Sequence, residues 1–336
     1  MERLRIGTLS TAQITPPALI VPARRLAETT VTAVAARNRD QAVAFAAEHG
    51  IPVVHDSYAA LIADPDIDAI YNPLPNSLHG LWTLAAIRAG KHVLCEKPFT
   101  SNADEAREVS AAARESGLVV MEAMHYRYHR LAEMMAGQLP LIIDPEEGIR
   151  HIHAVVSFPL GRPDDIRYSY DLAGGATMDA GCYAIDCIRL LGSGEPAVVA
   201  ALATEHGPRV DDAMSAFLRF GSGATAWLDV SLTQGGKLRA DVHVVGSRGQ
   251  MRVQNFVHPY VRFRLTTKAG LHTESIGSDP AEAAETTYVG QLRAFAAAVL
   301  RSEPFPTTPE HAIGTMELID GIYRAAGLPL RPAAPG

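Results

Sequence analysis

The first 125 residues alternate short apolar runs with helix-like segments, and this alternation constrains the fold more than any other feature of the 336-residue chain. Leu4–Leu9 reads as a strand, and residues 14–27 as a helix that Pro16, Pro17 and Pro22 should shorten or kink. Val31–Ala36 is a second strand. Arg39–His49 is an Ala-rich helix with Gly50 at its C′ position. Asp68–Tyr71 and His92–Cys95 read as strands, Ser77–Arg88 as a helix running to Gly90, Ala103–Ser116 as a helix stopped by Gly117, and Leu118–Met121 as a strand. Strands separated by helices of about 10–15 residues predict a doubly wound parallel sheet, an α/β domain of the Rossmann type.

After about residue 150 the pattern changes. Ile152–Phe158, Val198–Ala203, Ala213–Phe220, Ala224–Leu232, Ala240–Val245 and Met251–Val253 read as strands with few helices between them. This predicts an α+β domain with a large open, mainly antiparallel sheet. Two helices, about 285–301 and 310–326, follow. The expected division is 1–124 for dinucleotide binding, 125–330 for substrate binding and oligomerisation, and 331–336 as a loose tail. A net charge of −7 argues against nucleic acid or an anionic membrane as partner. No 18-residue apolar run spans a membrane, and Ser10, Thr11, Gln13 and Thr15 interrupt any signal-like start. Cys95, Cys182 and Cys187 form no CxxC, which suits a reducing, cytoplasmic setting.

The turn after the first strand reads Gly7-Thr-Leu-Ser10-Thr11-Ala12. A dinucleotide cradle needs glycine where backbone turns tightly beside pyrophosphate, and this one keeps a first glycine and a small last residue. A plain tight turn would need no more. At the end of the second strand stands Arg37-Asn38-Arg39, with no acid before Asp40. A carboxylate there would accept the ribose hydroxyls of NAD; a guanidinium can clamp a 2′-phosphate instead. The expectation is NADP(H), with NAD(H) possible, and Arg37 as the better clamp. A solvated arginine pair at a helix start is the simpler alternative.

Lysine is scarce. Of 30 basic residues only Lys91, Lys97, Lys237 and Lys268 are lysines, a bias that a GC-rich source would produce. Lys97 sits in Glu96-Lys97-Pro98, just past a strand at the carboxyl edge of the expected parallel sheet, where ligands collect. A compact ammonium that can move a proton suits that place as arginine does not.

Here the chain resembles the glucose–fructose oxidoreductase and inositol dehydrogenase (Gfo/Idh/MocA) family. Five segments carry the resemblance: the Gly7–Ala12 loop; Pro73-Leu-Pro-Asn76-Ser-Leu-His79; Glu96-Lys97-Pro98; Met121–His129; and Asp165-Ile-Arg167-Tyr168 through Gly174-Gly-Ala-Thr-Met-Asp179-Ala-Gly-Cys-Tyr183-Ala-Ile-Asp186. The wording Asp-x-Gly-x-Tyr is most similar to the sugar and dihydrodiol dehydrogenase branch, the inositol branch more often having histidine at Tyr183. Departures are Ser10, Ala173 in place of a third glycine, and the prolines after the loop. The resemblance implies Lys97 as catalytic, the Pro73–His79 turn beside the nicotinamide ribose, and hydride transfer at a CHOH carbon of a sugar or cyclic polyol. It further implies homodimers or homotetramers packed through the open sheet.

Alcohol oxidation needs a group that accepts the hydroxyl proton. Asp179 and Tyr183, four apart, are expected on one α-helical face with Asp186. Tyr183 is expected to relay the proton, Lys97 to polarise the carbonyl oxygen and tune Tyr183, and Asp179 to orient hydroxyls or Lys97; which of Lys97 and Tyr183 donates the proton is left open by the sequence. Gly7, Ser10, Thr11, Ala12, Arg37, Asn38, Pro73, Asn76, His79 and Glu96 are expected at the cofactor, with a structural role open for His79, and Tyr126, Arg127 and Arg167 at the substrate, with a packed crossover helix equally open for Tyr126-Arg127-Tyr128. His125 and His129 share i, i+4 spacing, but no HExxH acid follows and no metal is expected. Two other functions fit the same residues: a glycoside-processing enzyme with retained nicotinamide, and a non-catalytic dinucleotide sensor.

Overall fold

Strands of a parallel sheet are covered on both faces, and the inner strands Ala69–Asn72 and His92–Cys95 in the first half of the chain are buried at almost every position. In the computed structural model, which describes residues 3–162, 164–233, 236–278 and 285–334, β1 (Leu4–Leu9), β2 (Thr29–Ala35), β3 (Val53–His55), β4 (Ala69–Asn72), β5 (His92–Cys95) and β6 (Val120–Glu122) form one parallel sheet. Its order is β3-β2-β1-β4-β5-β6. Strand order reverses between β1 and β4, the place where such sheets bind ligands at their carboxyl ends.

Local sequence explains the helices between. The prolines divide the first into a π-helical turn, Pro16–Ile20, and a short α1 (Val21–Arg25). α2 (Arg39–His49) is N-capped by Asn38 and closed by Gly50 at φ 67°. α3 is Tyr58–Ala63. α4 (His79–Arg88) follows a 3₁₀ turn at Asn76–Leu78. α5 (Ala103–Ser116) is capped by Asn102 and ended by Gly117 at φ 69°, where a residue with a Cβ would be strained. β3 and α3, absent from the sequence reading, are too short to show periodicity. Lys91 proves structural: its Nζ donates to the carbonyls of Asp64 and Ile67, both at 2.7 Å, closing the turn before β4.

The boundary expected at 124/125 falls instead at 128/129, and Tyr288–Ile313 belongs with the first unit. The second unit is His129–Thr287 with Gly314–Pro332. The physical reason is a set of pairings that sequence distance conceals. Glu122 N–H donates to the Thr307 carbonyl (3.0 Å), Thr307 Oγ1 donates to the Glu122 carbonyl (2.8 Å), and His125 stacks on Tyr288 at 4.4 Å.

The second unit opens with α6 (Arg130–Ile142) and β7 (Ile149–Ser157), then the active-helix segment ending in α7 (Cys182–Leu191). β8 (Ala197–Glu205), β9 (Asp211–Arg219), β10 (Thr225–Ser231), β11 (Arg239–Gly246), β12 (Gly249–Gln254), β13 (Arg264–Ala269) and β14 (His272–Gly277) complete an eight-stranded sheet. Its order is β14-β13-β12-β11-β7-β10-β9-β8, antiparallel except for β7 with β10. β13 and β14 were not foreseen. α8 (Thr287–Arg301) and α9 (Pro309–Ala325) close the chain at the expected places.

Residues along β11 alternate between buried and half-buried, as one covered face requires. α6 and α7 cover that face, packing on β12 and β13 and on β7 and β10. The other face carries Trp227 and Phe217 at one end. At the other is a concavity of about 590 Å³ lined by His153, Arg239, Asp241, His243, Arg252 and Lys268. The loose tail is corrected at Arg331, which is 1% exposed and ion-paired to the buried Asp211. Among the described residues no helix is long and apolar enough to cross a membrane.

Candidate active site

In the first unit the candidate residues lie at the crest of β1, β4 and β5. Gly7 lies within β1, where a Cβ would come within 2.8 Å of Leu61, so glycine here permits close packing of α3. Ser10 has φ 69°, the left-handed conformation that glycine usually supplies in such loops. The departure at Ser10 therefore keeps the backbone path, at a cost of about 1 kcal/mol. Its N–H donates to the Ala35 carbonyl at 2.7 Å, tying the loop to β2; Thr11 and Ala12 follow half-buried.

Arg37 is exposed just past β2, and its guanidinium has no carboxylate partner among the described residues. Arg39 is already paired with Asp56 at 2.6 Å, which leaves Arg37 as the cation able to take a phosphate. Asn38 spends its side-chain oxygen on the α2 cap, accepting from Gln41 N–H at 3.1 Å. These residues fit NADP(H): a left-handed loop residue, a helical turn after it, and an uncommitted arginine where an acid would repel a 2′-phosphate.

Around Lys97 the structure is tightly knit. Glu96 N–H donates to the Asn72 carbonyl (3.0 Å), and Tyr71 OH donates to Glu96 Oε1 (2.8 Å) inside the core. Asn72 Nδ2 donates to the His79 carbonyl (3.1 Å) and to Thr83 Oγ1 (3.2 Å). The Lys97–Pro98 peptide bond is cis. Pro73 is buried directly after β4, and Asn76 begins the 3₁₀ turn. Lys97 thus leaves a turn whose flanking residues are each fixed by a named bond. Cys95 is buried, and burial pushes its thiol far above the usual range, so it is chemically inert.

His79 takes the structural one of its two expected roles rather than the cofactor-binding one: it is 1% exposed, with Nδ1 2.7 Å from the Pro98 carbonyl and Nε2 2.7 Å from the Leu74 carbonyl. No ring nitrogen is left for a ligand, and the histidine instead ties the Pro73–His79 turn to the Lys97 turn. Burial pushes its pKa down to about 4 from 6.5, despite both carbonyls. Between those values the unfolded chain binds the proton and the folded one does not. Acidification from pH 6.5 to 4 should therefore weaken folding, by up to about 3 kcal/mol from this group. His79→Gln should flatten that part of the stability-against-pH curve in thermal unfolding; superimposable slopes for variant and wild type would refute the assignment.

Tyr126 likewise takes its packing role and is corrected as a substrate residue. It was expected at a substrate rim, but it is 0% exposed in a 3₁₀ turn, His125–Tyr128, and cannot touch a ligand there. Arg127 is half-buried, with Nη1 3.5 Å from His311 Nε2. His125 and His129 do not share a helix face. His129 caps α6, accepting from Leu131 N–H at 3.1 Å.

In the second unit the candidate residues lie in the segment that leads into α7. Thr177–Gly181 is a π-helical turn that runs into α7, so Asp179 and Tyr183 do not have the simple α-helical relation their spacing suggested. Such turns recur at functional sites. Both residues are 8% exposed, enough to meet a ligand without being solvated. Asp186, expected to extend their face, is fully buried. Asp179 Oδ2 accepts from Arg167 Nε at 2.8 Å, and Asp165 Oδ1 accepts from Arg167 Nη1 at 3.1 Å. Arg167, expected at the substrate, is thus shared between two carboxylates and orients Asp179. The Asp179 charge raises the Arg167 pKa further. Cys182 is buried, its Sγ against the Asp179 carbonyl.

Comparison with known proteins gives the family of the chain. The family model described as "Oxidoreductase family, NAD-binding Rossmann fold" matches residues 9–124, and the "GFO/IDH/MocA C-terminal domain" model matches 148–252. The chain is 36% identical over 330 residues to D-xylose 1-dehydrogenase (NADP(+)) 2 of Haloferax volcanii, covering 96% of this chain and 97% of that one. It is 32% identical over 225 residues to trans-1,2-dihydrobenzene-1,2-diol dehydrogenase of Xenopus tropicalis, covering 66% of each. Among solved structures it is similar to KijD10, a 3-ketoreductase from Actinomadura kijaniata in complex with NADP and TDP-benzene. The TM-score is 0.86 at 28% identity, over 96% of this chain and 98% of that one.

Proposed function

The chain belongs to the Gfo/Idh/MocA oxidoreductase family, and on that premise we propose that it is an NADP(H)-dependent dehydrogenase/reductase of sugars or cyclic polyols, with an aldose as the leading substrate class. The full-length similarity to a D-xylose 1-dehydrogenase supports the aldose. The observation that carries the chemistry is Lys97, set past β5 by the Tyr71–Glu96 bond on one side and the His79–Pro98 contact on the other.

NADP(H), when bound, supplies or accepts the hydride at nicotinamide C4. Gly7, Ser10, Thr11 and Ala12 would shape its pyrophosphate cradle, Arg37 with Asn38 would meet the 2′-phosphate, and Pro73, Asn76 and Glu96 would border the ribose and nicotinamide. Lys97 donates a hydrogen bond to the reacting oxygen and favours its negative charge. Tyr183 relays the hydroxyl proton, and Asp179, held by Arg167, orients the neighbouring substrate hydroxyls. The three buried cysteines suit the cytoplasm. The open sheet face supports assembly as a homodimer or homotetramer, with Trp227 and Phe217 offering apolar area beside a basic concavity.

A panel of aldoses, inositols and dihydrodiols, read by nicotinamide absorbance, tests the proposal. The expected result is turnover of at least one aldose with NADP⁺, and a loss of preference for NADP⁺ over NAD⁺ of about tenfold or more in Arg37→Ala. Equal NADP⁺ preference in that variant would remove Arg37 from the site. Hydrolysis without net nicotinamide change, or tight NADPH binding with no reaction at all, would replace the proposal by one of the two alternatives read from the sequence.

A further inference from the structure

The π-helical turn that bears Asp179 is anchored by a buried cluster assembled from distant parts of the chain. Asp211, on β9, is wholly buried. Its Oδ2 accepts from Thr177 N–H (2.7 Å) and Thr177 Oγ1 (2.6 Å), at the first residue of the π-helical turn that bears Asp179. Its Oδ1 accepts from Tyr323 OH (3.0 Å) and Arg331 Nη2 (2.7 Å). Arg331 also donates through Nε to the Gly174 carbonyl (2.5 Å) and through Nη1 to the Arg209 carbonyl (3.0 Å), while its guanidinium lies 3.9 Å over the Tyr323 ring.

The same cluster holds the partner of Asp179. Gly175 N–H donates to the Arg167 carbonyl (2.8 Å), and the Gly175 carbonyl accepts from Asp179 N–H (3.0 Å). A Cβ at Gly174 would lie 2.4 Å from the Arg167 carbonyl oxygen, and one at Gly175, where φ is +131°, would collide with the Asp211 carboxylate. The Gly174–Thr177 cradle is therefore fixed at both ends by one ion pair with no exposed atom. Apolar side chains of similar volume would hold a fold as well as a buried ion pair does, so a directional pair at this point calls for a directional task.

We propose that Arg331 and Asp211 are positioning residues for the reaction: together they set the Gly174–Thr177 cradle, and through it the direction of Asp179 and Tyr183. The catalytic importance of that aim rests on the function proposed above; the aim itself does not.

Arg331→Lys keeps the charge and loses the planar fork. Its amide hydrogen exchange should rise on the order of tenfold in 175–183, with β7, β10 and β11 unchanged. With the aldose that wild type oxidises, kcat should fall about a hundredfold while KM for NADP⁺ stays at its wild-type value. Arg331→Lys with wild-type exchange in 175–183 overturns the proposal, as does uniform loosening of the second unit with kcat per folded molecule unchanged. If Arg331→Lys does not fold, the charge-neutral Asp211→Asn/Arg331→Met pair takes its place with the same readouts, and failure of both to fold makes the pair a folding determinant and overturns the proposal. Absence of any turnover in wild type would count against the function alone, because the exchange measurement still decides the aim.

Discussion

Lys97→Met should lower kcat by about a thousandfold or more, roughly 4 kcal/mol of lost transition-state stabilisation, while NADPH still binds with near wild-type affinity. Methionine keeps much of the length and apolar stem of lysine and removes its charge and its donors. The turn that presents Lys97 is fixed by neighbours: Glu96 by Tyr71 OH at 2.8 Å, and Pro98 by His79 at 2.7 Å. The substitution should thus delete the ammonium without relocating the backbone. Steady-state rates with NADP⁺ and an aldose, beside fluorescence titration of NADPH, separate the two effects. A variant that turns over within tenfold of wild type would exclude Lys97 from the chemistry; one that loses NADPH binding as well would assign it to the cofactor.

Tyr183→Phe should lower kcat by about a hundred- to a thousandfold with little change in KM for the sugar. The change removes one oxygen from a buried residue on the first turn of α7 and preserves the ring, which should keep the fold intact. An interaction made only as the proton moves lowers kcat and kcat/KM together. A raised KM at unchanged kcat would instead show that the hydroxyl merely holds the ground-state sugar. Asp179→Asn provides a contrast, since it leaves a polar group opposite Arg167 but removes the charge that Arg167 Nε meets at 2.8 Å.

The parallel-sheet half was readable because its signals are local. The left-handed glycines Gly50 and Gly117 lie directly after the helices they terminate. Glu96-Lys97-Pro98 was readable for the same reason, since a strand end, a cation and a proline are neighbours in sequence. Short elements gave no such signal: β3 has three residues and earns its strand state only by pairing with β2. The edge strand β14 and its neighbour β13 were lost in a polar stretch, where only cross-strand bonds mark them. For His79 and Tyr126 the choice between a structural and a ligand-facing role stayed open in the sequence, because residue type and motif position say nothing about burial. His79 lies in the turn expected beside the cofactor, but its ring nitrogens face two backbone carbonyls instead.

What the sequence by itself determined is the sheet class, the carboxyl-edge location of Lys97, and the absence of an acid where a 2′-phosphate would sit. Each depends on periodicity or on adjacency along the chain. Tertiary structure alone decided the rest: that Tyr288–Ile313 returns to the first unit, that Asp179 is bound by Arg167 across a π-helical turn, and that Arg331 closes on Asp211, 120 residues earlier. Those contacts exist only because folding removes water from both partners, and burial of a charge selects its opposite wherever the chain happens to bring it.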